Sequence, residues 1–477
     1  MRLKLPSIAV AAATLSLIPA TACSLDVGDL NNPGLDELEQ NPTRVTVGAA
    51  CTGLIVGNRR NTAQANGYIV QLGILGREAY NFDGADPRFF GELLEGPLQP
   101  GSPFGGNFWG GPYANVRLAN IVERVADKVP DYSLAEINAV TGFAKTIEAT
   151  DLLEVVNTHD TNGGVIDTDH EIDEQLGAIV NRDAMLTEIG RLLDEGAADL
   201  AKGGDGFPFG LSKGYGDNGL DSVSGFLTFN RAMRARVAVY AKDYTTASMA
   251  LAGSFIKEGN GTGGVDPLTV GDLYIGAYHS YSTSPGDQQN ALINPNIFAH
   301  PSFVTDAQMN GMNRDERVAR KSVTVPDEDG GSARGISSNV KYTVYPSNSS
   351  PVAIIRNEDL LLLRAETRFF MGDVPGALAD LNRVRTVSGG LPPIAGTPDQ
   401  ATFITALLYE RRYSLAFEGH RLIDVRRFGR VMDLPLAMPE GEDPAMHVRN
   451  VRWPLPQAEC DARPGEAACK LGSMDTM

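Results

Sequence analysis

Glu410 to Arg430 reads ERRYSLAFEGHRLIDVRRFGR and packs charges of both signs around a regular apolar pattern. Tyr413, Ala416 and Phe417 make one stripe at helical spacing, and Leu422, Ile423 and Val425 continue it beyond Gly419. Between them sit Glu410, Arg411, Glu418, Arg421, Asp424, Arg426 and Arg427, at separations that bring opposite charges together on a helix. Gly419 marks the end of one helix and the start of the next, because glycine accepts the left-handed conformation that closes a helix. The expectation is a helix–turn–helix corner at the surface, held by ion pairs.

Outward from this corner the chain reads as helices in pairs, separated by long irregular inserts. Pro42 to Asn58 has Val45, Val47, Ala50, Leu54 and Ile55 as its inward residues. Gly111 to Lys128 turns Tyr113, Val116, Leu118, Ile121 and Val122 to a core. Leu134 to Asn157 and Asp183 to Lys202 are amphipathic throughout. Ser224 to Lys257 and Asn357 to Val387 each read as helix, short turn, helix. These last two resemble each other: Asp243, Ala247 and Leu251 align with Asp373, Ala377 and Leu381. An acid capping the second helix, followed by small residues where the helices touch, is how tetratricopeptide-like hairpins are built. With 130 residues between them, the two units are expected to stand apart, in a framework of helix pairs that also carries a loop-rich lobe. The fold class is therefore mainly α.

Two inserts have the makeup of a sugar site, which pairs an aromatic plate for the C–H face of the ring with Asn, Asp or Arg for its hydroxyls. Glu78 to Trp109 holds Tyr80, Asn81, Asp83, Arg88, Phe89, Phe90, Phe104 and Phe108 among glycines and prolines. Tyr274 to Phe298 holds Tyr274, Tyr278, Tyr281, Gln288 and Asn290. Tyr80, Asn81, Asp83, Arg88, Tyr274, Tyr278, Tyr281 and Asn290 are the candidate ligand contacts. The phenylalanines are expected to plug the loop onto the core, and Trp109 to start a helix.

No constellation for covalent chemistry is present. The six histidines have no metal-ligand spacing, and no phosphate loop, G-x-S-x-G elbow or dinucleotide fingerprint occurs. Asp160 to Asp167 has the flavour of a calcium loop, but Val165 stands where the turn glycine belongs, so an acidic surface loop is expected and no cofactor or metal is assigned.

The amino terminus has the layout of a lipoprotein signal, with plain secretory cleavage that leaves Cys23 unmodified as the alternative. Arg2 and Lys4 precede an apolar run from Ile8 to Ile18 that is too short to span a bilayer, and Ala20, Thr21 and Ala22 lead into Cys23. Ala20 departs from the leucine usual three residues before such a cysteine. Cleavage would leave Cys23 to carry lipid and would move the net charge from −18 to −20, a poor match for nucleic acid. Multiple acyl chains anchor stably where one does not. Of the other cysteines, Cys460 and Cys469 enclose a short loop and are expected to form a disulfide worth at most roughly 2–3 kcal/mol. Cys51, on an apolar face, reads as a buried thiol.

The 410–430 string resembles the C-terminal signature of the SusD/RagB family of outer-membrane nutrient-binding lipoproteins, of the form ER–x–EL–FEG–R–D–RR–G. The resemblance extends upstream. Trp109, Tyr113, Asn120 and Glu123 are similar to the family's W–Y–I–AN–IE helix. Gly142 to Lys145 is a looser counterpart of GEA–LRA, lacking its glutamate. Arg356, Glu358, Asp359, Leu363, Ala365 and Glu366 are similar to R–AE–L–AEA, and Asn382, Val384 and Arg385 to N–VR. Trp453 to Pro456 is similar to the closing PIP segment. The resemblance implies a signal peptide at 1–22 and a SusD-like domain at 23–477, its helix-pair framework over about 43–257 and 350–432, and loop-rich inserts over about 78–110 and 258–350. It implies a non-enzymatic lipoprotein on the outer face of the outer membrane. Such a protein captures oligosaccharides, or alternatively peptides and other organic nutrients, and passes them to a SusC-like TonB-dependent transporter. A periplasmic helical-repeat scaffold is the remaining alternative.

Overall fold

The computed structural model describes residues 34–170, 175–259, 267–436 and 447–474; Cys23 and the signal lie outside them. Most of the described chain is helical, and the helices start where their caps dictate. The Thr43 hydroxyl accepts from the Thr46 amide at the head of Arg44–Asn58, and Ser133 with Glu136 closes a capping box on Leu134–His159. Asn181 and Ser222 cap Arg182–Leu200 and Val223–Tyr240. Asp243 and Asp373, aligned by the internal similarity, hold the same place: each side chain accepts the amide three residues on, at the start of Tyr244–Ala252 and Val374–Gly389. Lys242 (φ 61°) and Gly372 (φ 89°) fill the preceding left-handed position.

The two hairpins do not stand apart. Arg44–Asn58 packs on Gly110–Val125, which packs on Leu134–His159, then Arg182–Leu200, Val223–Tyr240 and Tyr244–Ala252. Tyr244–Ala252 lies directly against Asn357–Phe370, followed by Val374–Gly389 and Gln400–Ser414. The Tyr244 and Phe370 rings stack at 4.8 Å and 9° across that joint. The array is thus continuous in space, because the second insert leaves and returns on one antiparallel pair, Gly276–His279 with Val352–Arg356. The Leu134–His159 and Arg182–Leu200 helices approach closely. A Cβ on Gly142 there would sit 2.7 Å from the Gly196 carbonyl oxygen, so only glycine admits the contact.

One inward residue is corrected. Val45 is 79% exposed, whereas Val47, Cys51, Leu54 and Ile55 form the buried stripe. Two positions before Val47 is about 200°, just over a half-turn round the helix, which turns Val45 to solvent.

The 410–430 corner forms as two helices, Gln400–Ser414 and Arg421–Arg427, with Gly419 at φ 82° between them. Its charges, however, are buried rather than at the surface. Arg411 donates to Asp359 and Asp424, both at 2.7 Å; Arg236 also reaches Asp359 at 2.7 Å; Arg427 pairs with Glu366 and Asp424. A second buried set links Arg317, Arg385, Arg356 and Lys321 to Asp315, Glu410, Glu358 and Glu418. Each set balances its charges, the condition under which ions survive removal from water. Burial pushes the Asp359 carboxyl up, but Arg411 and Arg236 outweigh it and hold it well below the usual range.

His420 sits in the same corner, and burial lowers its pKa to about 4. The folded state favours the neutral ring, so its contribution to stability is complete above the unfolded value near 6.5 and is lost as pH falls through 4. A pH titration of the ring nitrogens by NMR should show His420 neutral at pH 5.5, and a midpoint near 6.5 would contradict this placement.

The Asp160–Asp167 segment is corrected as well. Asp160 and Asn162 are buried: Asp160 pairs with Arg182 at 3.0 Å and Arg426 at 3.3 Å, and Asn162 donates to the Trp453 carbonyl at 2.6 Å. No cluster of three or more His, Cys, Asp or Glu able to hold a metal occurs among the described residues. Cys460 and Cys469 are joined in a disulfide, and Cys51 is a buried thiol. No described helix is long and apolar enough to cross a membrane.

Candidate functional site

The two inserts meet. Ala79–Asn81 pairs antiparallel with Ile297–Ala299, placing Tyr80 opposite Phe298. The next residue, Phe82, is half-buried and packs on Phe90 and Phe298 at 5.8 and 5.6 Å. Its ring also lies on Gly331, where a Cβ would come within 2.3 Å of it. Gly331 therefore lets the first insert dock on the short hairpin formed by Gly331–Ala333 and Ile336–Ser338. Arg334 of that hairpin pairs with Glu95 of the first insert.

Beside this junction lies a polar groove of about 490 Å³, lined by Asp327, Ser332, Ser337 and Asn339 with Pro301 and Gly330. Asp327 and the two serines are exposed, and the half-buried Asn339 donates to Asp327 at 2.7 Å. Ser338 points inward and donates to the Ala299 carbonyl at 2.7 Å, which fixes the hairpin to the core. Hydroxyls, an amide and a carboxylate can exchange hydrogen bonds with a polyol; Phe82 packs against the lining residue Gly331 but does not itself line the groove. Hydrolysis of a glycosidic bond needs two facing carboxylates; among its described lining residues this groove has one, Asp327.

The eight candidate contacts are not brought together here. Tyr80 is buried against Phe82 and His300, at 5.5 and 5.0 Å. Asn81 is buried and donates to the Ala65 carbonyl at 3.2 Å. Tyr281 is buried under the Arg59 guanidinium, and Asn290 donates to the Ser350 carbonyl at 2.8 Å with no exposed surface. These four hold the inserts to the framework and present no face to a ligand in this conformation. The physical reason is that loops this long must bury rings and satisfy their own backbone to stay ordered. Arg88 is half-buried, paired with Asp86 at 2.8 Å and lying over Phe104; that pairing holds the Asp86 carboxyl below its usual range. Asp83 is half-buried and accepts the Ala85 amide at 3.0 Å. Tyr274 is 38% exposed beneath the Arg356 guanidinium, and the half-buried Tyr278 donates to the Tyr274 carbonyl. Neither tyrosine lines the groove. Phe89, Phe90, Phe104, Phe108 and Trp109 are buried in the core.

The groove residues were legible only as a turn-rich stretch, DEDGGSARGISSN over 327–339. Gly-Gly and Arg-Gly mark turns, but nothing local shows which side faces solvent.

Residues 305–465 match the model of the SusD family. Among solved structures, a SusD-like carbohydrate-binding protein from Bacteroides fragilis superposes with a TM-score of 0.65 at 15% identity, covering 88% of this chain and 98% of that one. A SusD-like carbohydrate-binding protein from Bacteroides vulgatus gives 0.65 at 14%, over 88% and 96%. NanU of B. fragilis gives 0.60 at 15%, over 92% and 98%. At such identities the likeness is one of fold. No curated protein matches the chain.

Proposed function

We propose, from the match of residues 305–465 to the SusD family model and the SusD-like fold of the described chain, that this protein captures extracellular oligosaccharides without altering them and yields them to a TonB-dependent transporter. The observation that carries the reading is the polar groove at the junction of the inserts, with hydroxyl and amide groups and one carboxylate in its lining. Relatives described as carbohydrate-binding support it. In this reading the amino-terminal signal is cut before Cys23, whose lipid tethers the protein to the outer membrane facing outward. The helix-pair array is the rigid frame, and the inserts are the variable grip.

The reading is tested in cells that produce the protein. Cys23→Ser should move it out of the membrane fraction, external protease should cleave the wild type on intact cells, and gentle solubilisation should recover it with a large barrel protein. Protection from protease together with recovery free of any barrel would overturn the surface role. At the groove itself, Asn339→Ala should weaken oligosaccharide binding roughly three- to tenfold, the loss of about one hydrogen bond, with little change in melting temperature. Calorimetric titration measures it, and peptides titrated alongside test the alternative cargo.

A further inference from the structure

A second groove lies away from the insert junction and shares no lining residue with it. Its first wall is one stripe of the Gly110–Val125 helix and its cap: Trp109, Tyr113 and Arg117 follow at intervals of four, so they stack on a single face. The Trp109 and Tyr113 rings pack at 4.9 Å. Trp109 is buried except for the 4% of its surface at the groove, and Tyr113 is half-buried, its hydroxyl donating to the Val165 carbonyl at 3.0 Å. The opposite wall is the short Gln457–Ala462 helix, stapled by the Cys460–Cys469 disulfide, with Glu459 and Arg463 paired one turn apart. Arg463 reaches across and donates to the Gly177 carbonyl at 3.0 Å. The space enclosed is about 320 Å³, the lower end of small-molecule sites.

Charge makes this groove unusual in its surroundings. Most arginines of this chain are spoken for by a carboxylate or a carbonyl, as in both buried networks. Arg117 and Asp167, which both line the groove, make no ion pair or side-chain hydrogen bond among the described residues. They also make none with each other. The Nε–H of Arg463 is buried without a partner. An aromatic wall, an apolar floor at Val165, and an unpaired donor and acceptor on separate elements form a complementary set. They match one sugar ring, with its C–H face against Tyr113 beside Trp109 and adjacent hydroxyls bridging Arg117 and Asp167.

We propose that this groove is a separate binding site for a single carbohydrate unit, a monosaccharide or the end of a short glycan, held by Tyr113, Trp109, Arg117 and Asp167. It does not require the insert groove to bind. A tethered protein with two sites raises the local concentration of a glycan long enough to reach both.

The test uses the mature protein labelled with ¹⁵N. The chain has two tryptophans, and Trp453 is buried with its indole N–H donated to the Phe104 carbonyl, so the Trp109 indole signal reports this groove alone. Hexoses, N-acetylhexosamines and their disaccharides are titrated to tens of millimolar, with Trp453→Phe used to assign the two signals. At least one sugar should shift the Trp109 signal saturably and leave Trp453 in place. Arg117→Ala and Asp167→Asn should each weaken that binding at least tenfold at unchanged melting temperature, and Asn339→Ala should not affect it. No shift with any of these sugars, a shift unaltered by both groove variants, or one lost on Asn339→Ala would overturn the proposal. Those results leave binding at the insert groove, measured by calorimetry, as a separate question.

Discussion

Replacing Arg411 with Met should lower the free energy of unfolding by about 3–5 kcal/mol, the range found when one member of a buried ion pair is removed. Arg411 is 1% exposed and bridges Asp359 and Asp424 at 2.7 Å each, joining the second hairpin to both helices of the 410–430 corner. Without it Asp359 keeps Arg236, but Asp424 keeps only a 3.3 Å contact to Arg427, and a buried carboxylate short of partners is costly. Arg411→Lys should be nearly as damaging, since an ammonium is a point charge and cannot present the guanidinium's fork to two carboxylates. Urea denaturation measures both. A loss under about 1 kcal/mol for Arg411→Met would mean that the network does not hold the corner.

Trp453→Ala should cost a similar amount, about 3–5 kcal/mol, through the cavity it leaves. The side chain is fully buried, packs edge-on against Phe108 at 5.3 Å, and donates to the Phe104 carbonyl at 3.1 Å. Its backbone amide donates to Thr158, and its carbonyl accepts from Asn162. One residue therefore ties the closing segment to the first insert and to the end of the Leu134–His159 helix. Trp453→Phe keeps a ring and removes one of two hydrogen bonds to the Phe104 carbonyl, which still accepts the Asn107 amide at 3.2 Å, so the lost bond should cost about 0.5–1.5 kcal/mol. Equal losses for the two variants would assign the energy to the hydrogen bond rather than to packing.

Legibility follows the range of the interactions. The 410–430 corner could be read because its stripes and Gly419 are local. Its burial could not, because Arg236, Asp359 and Glu366 come from distant helices and an ion-rich string looks the same on a surface or in a core. The hairpins were readable from Asp243 and Asp373, since a cap acts within three residues. Their stacking was not, because the Gly276–His279 and Val352–Arg356 pairing that returns the insert spans more than 70 positions. In the inserts, composition failed to separate plate from plug. Tyr80 has the makeup of a sugar contact, but strand pairing to Ile297–Ala299 turns it inward against Phe82 and His300. The groove itself uses Asp327, Ser332, Ser337 and Asn339, common turn residues whose role depends on a fold brought together from far away.

Capture without conversion is most directly tested in a single tube: purified mature protein incubated with fluorescently end-labelled oligosaccharides, bound fraction and product length followed together over hours. Saturable binding of at least one glycan, every molecule recovered at its original length, and weaker binding with Asn339→Ala are the expected results. Shortened product from the wild-type protein, or no glycan held at all, would contradict it.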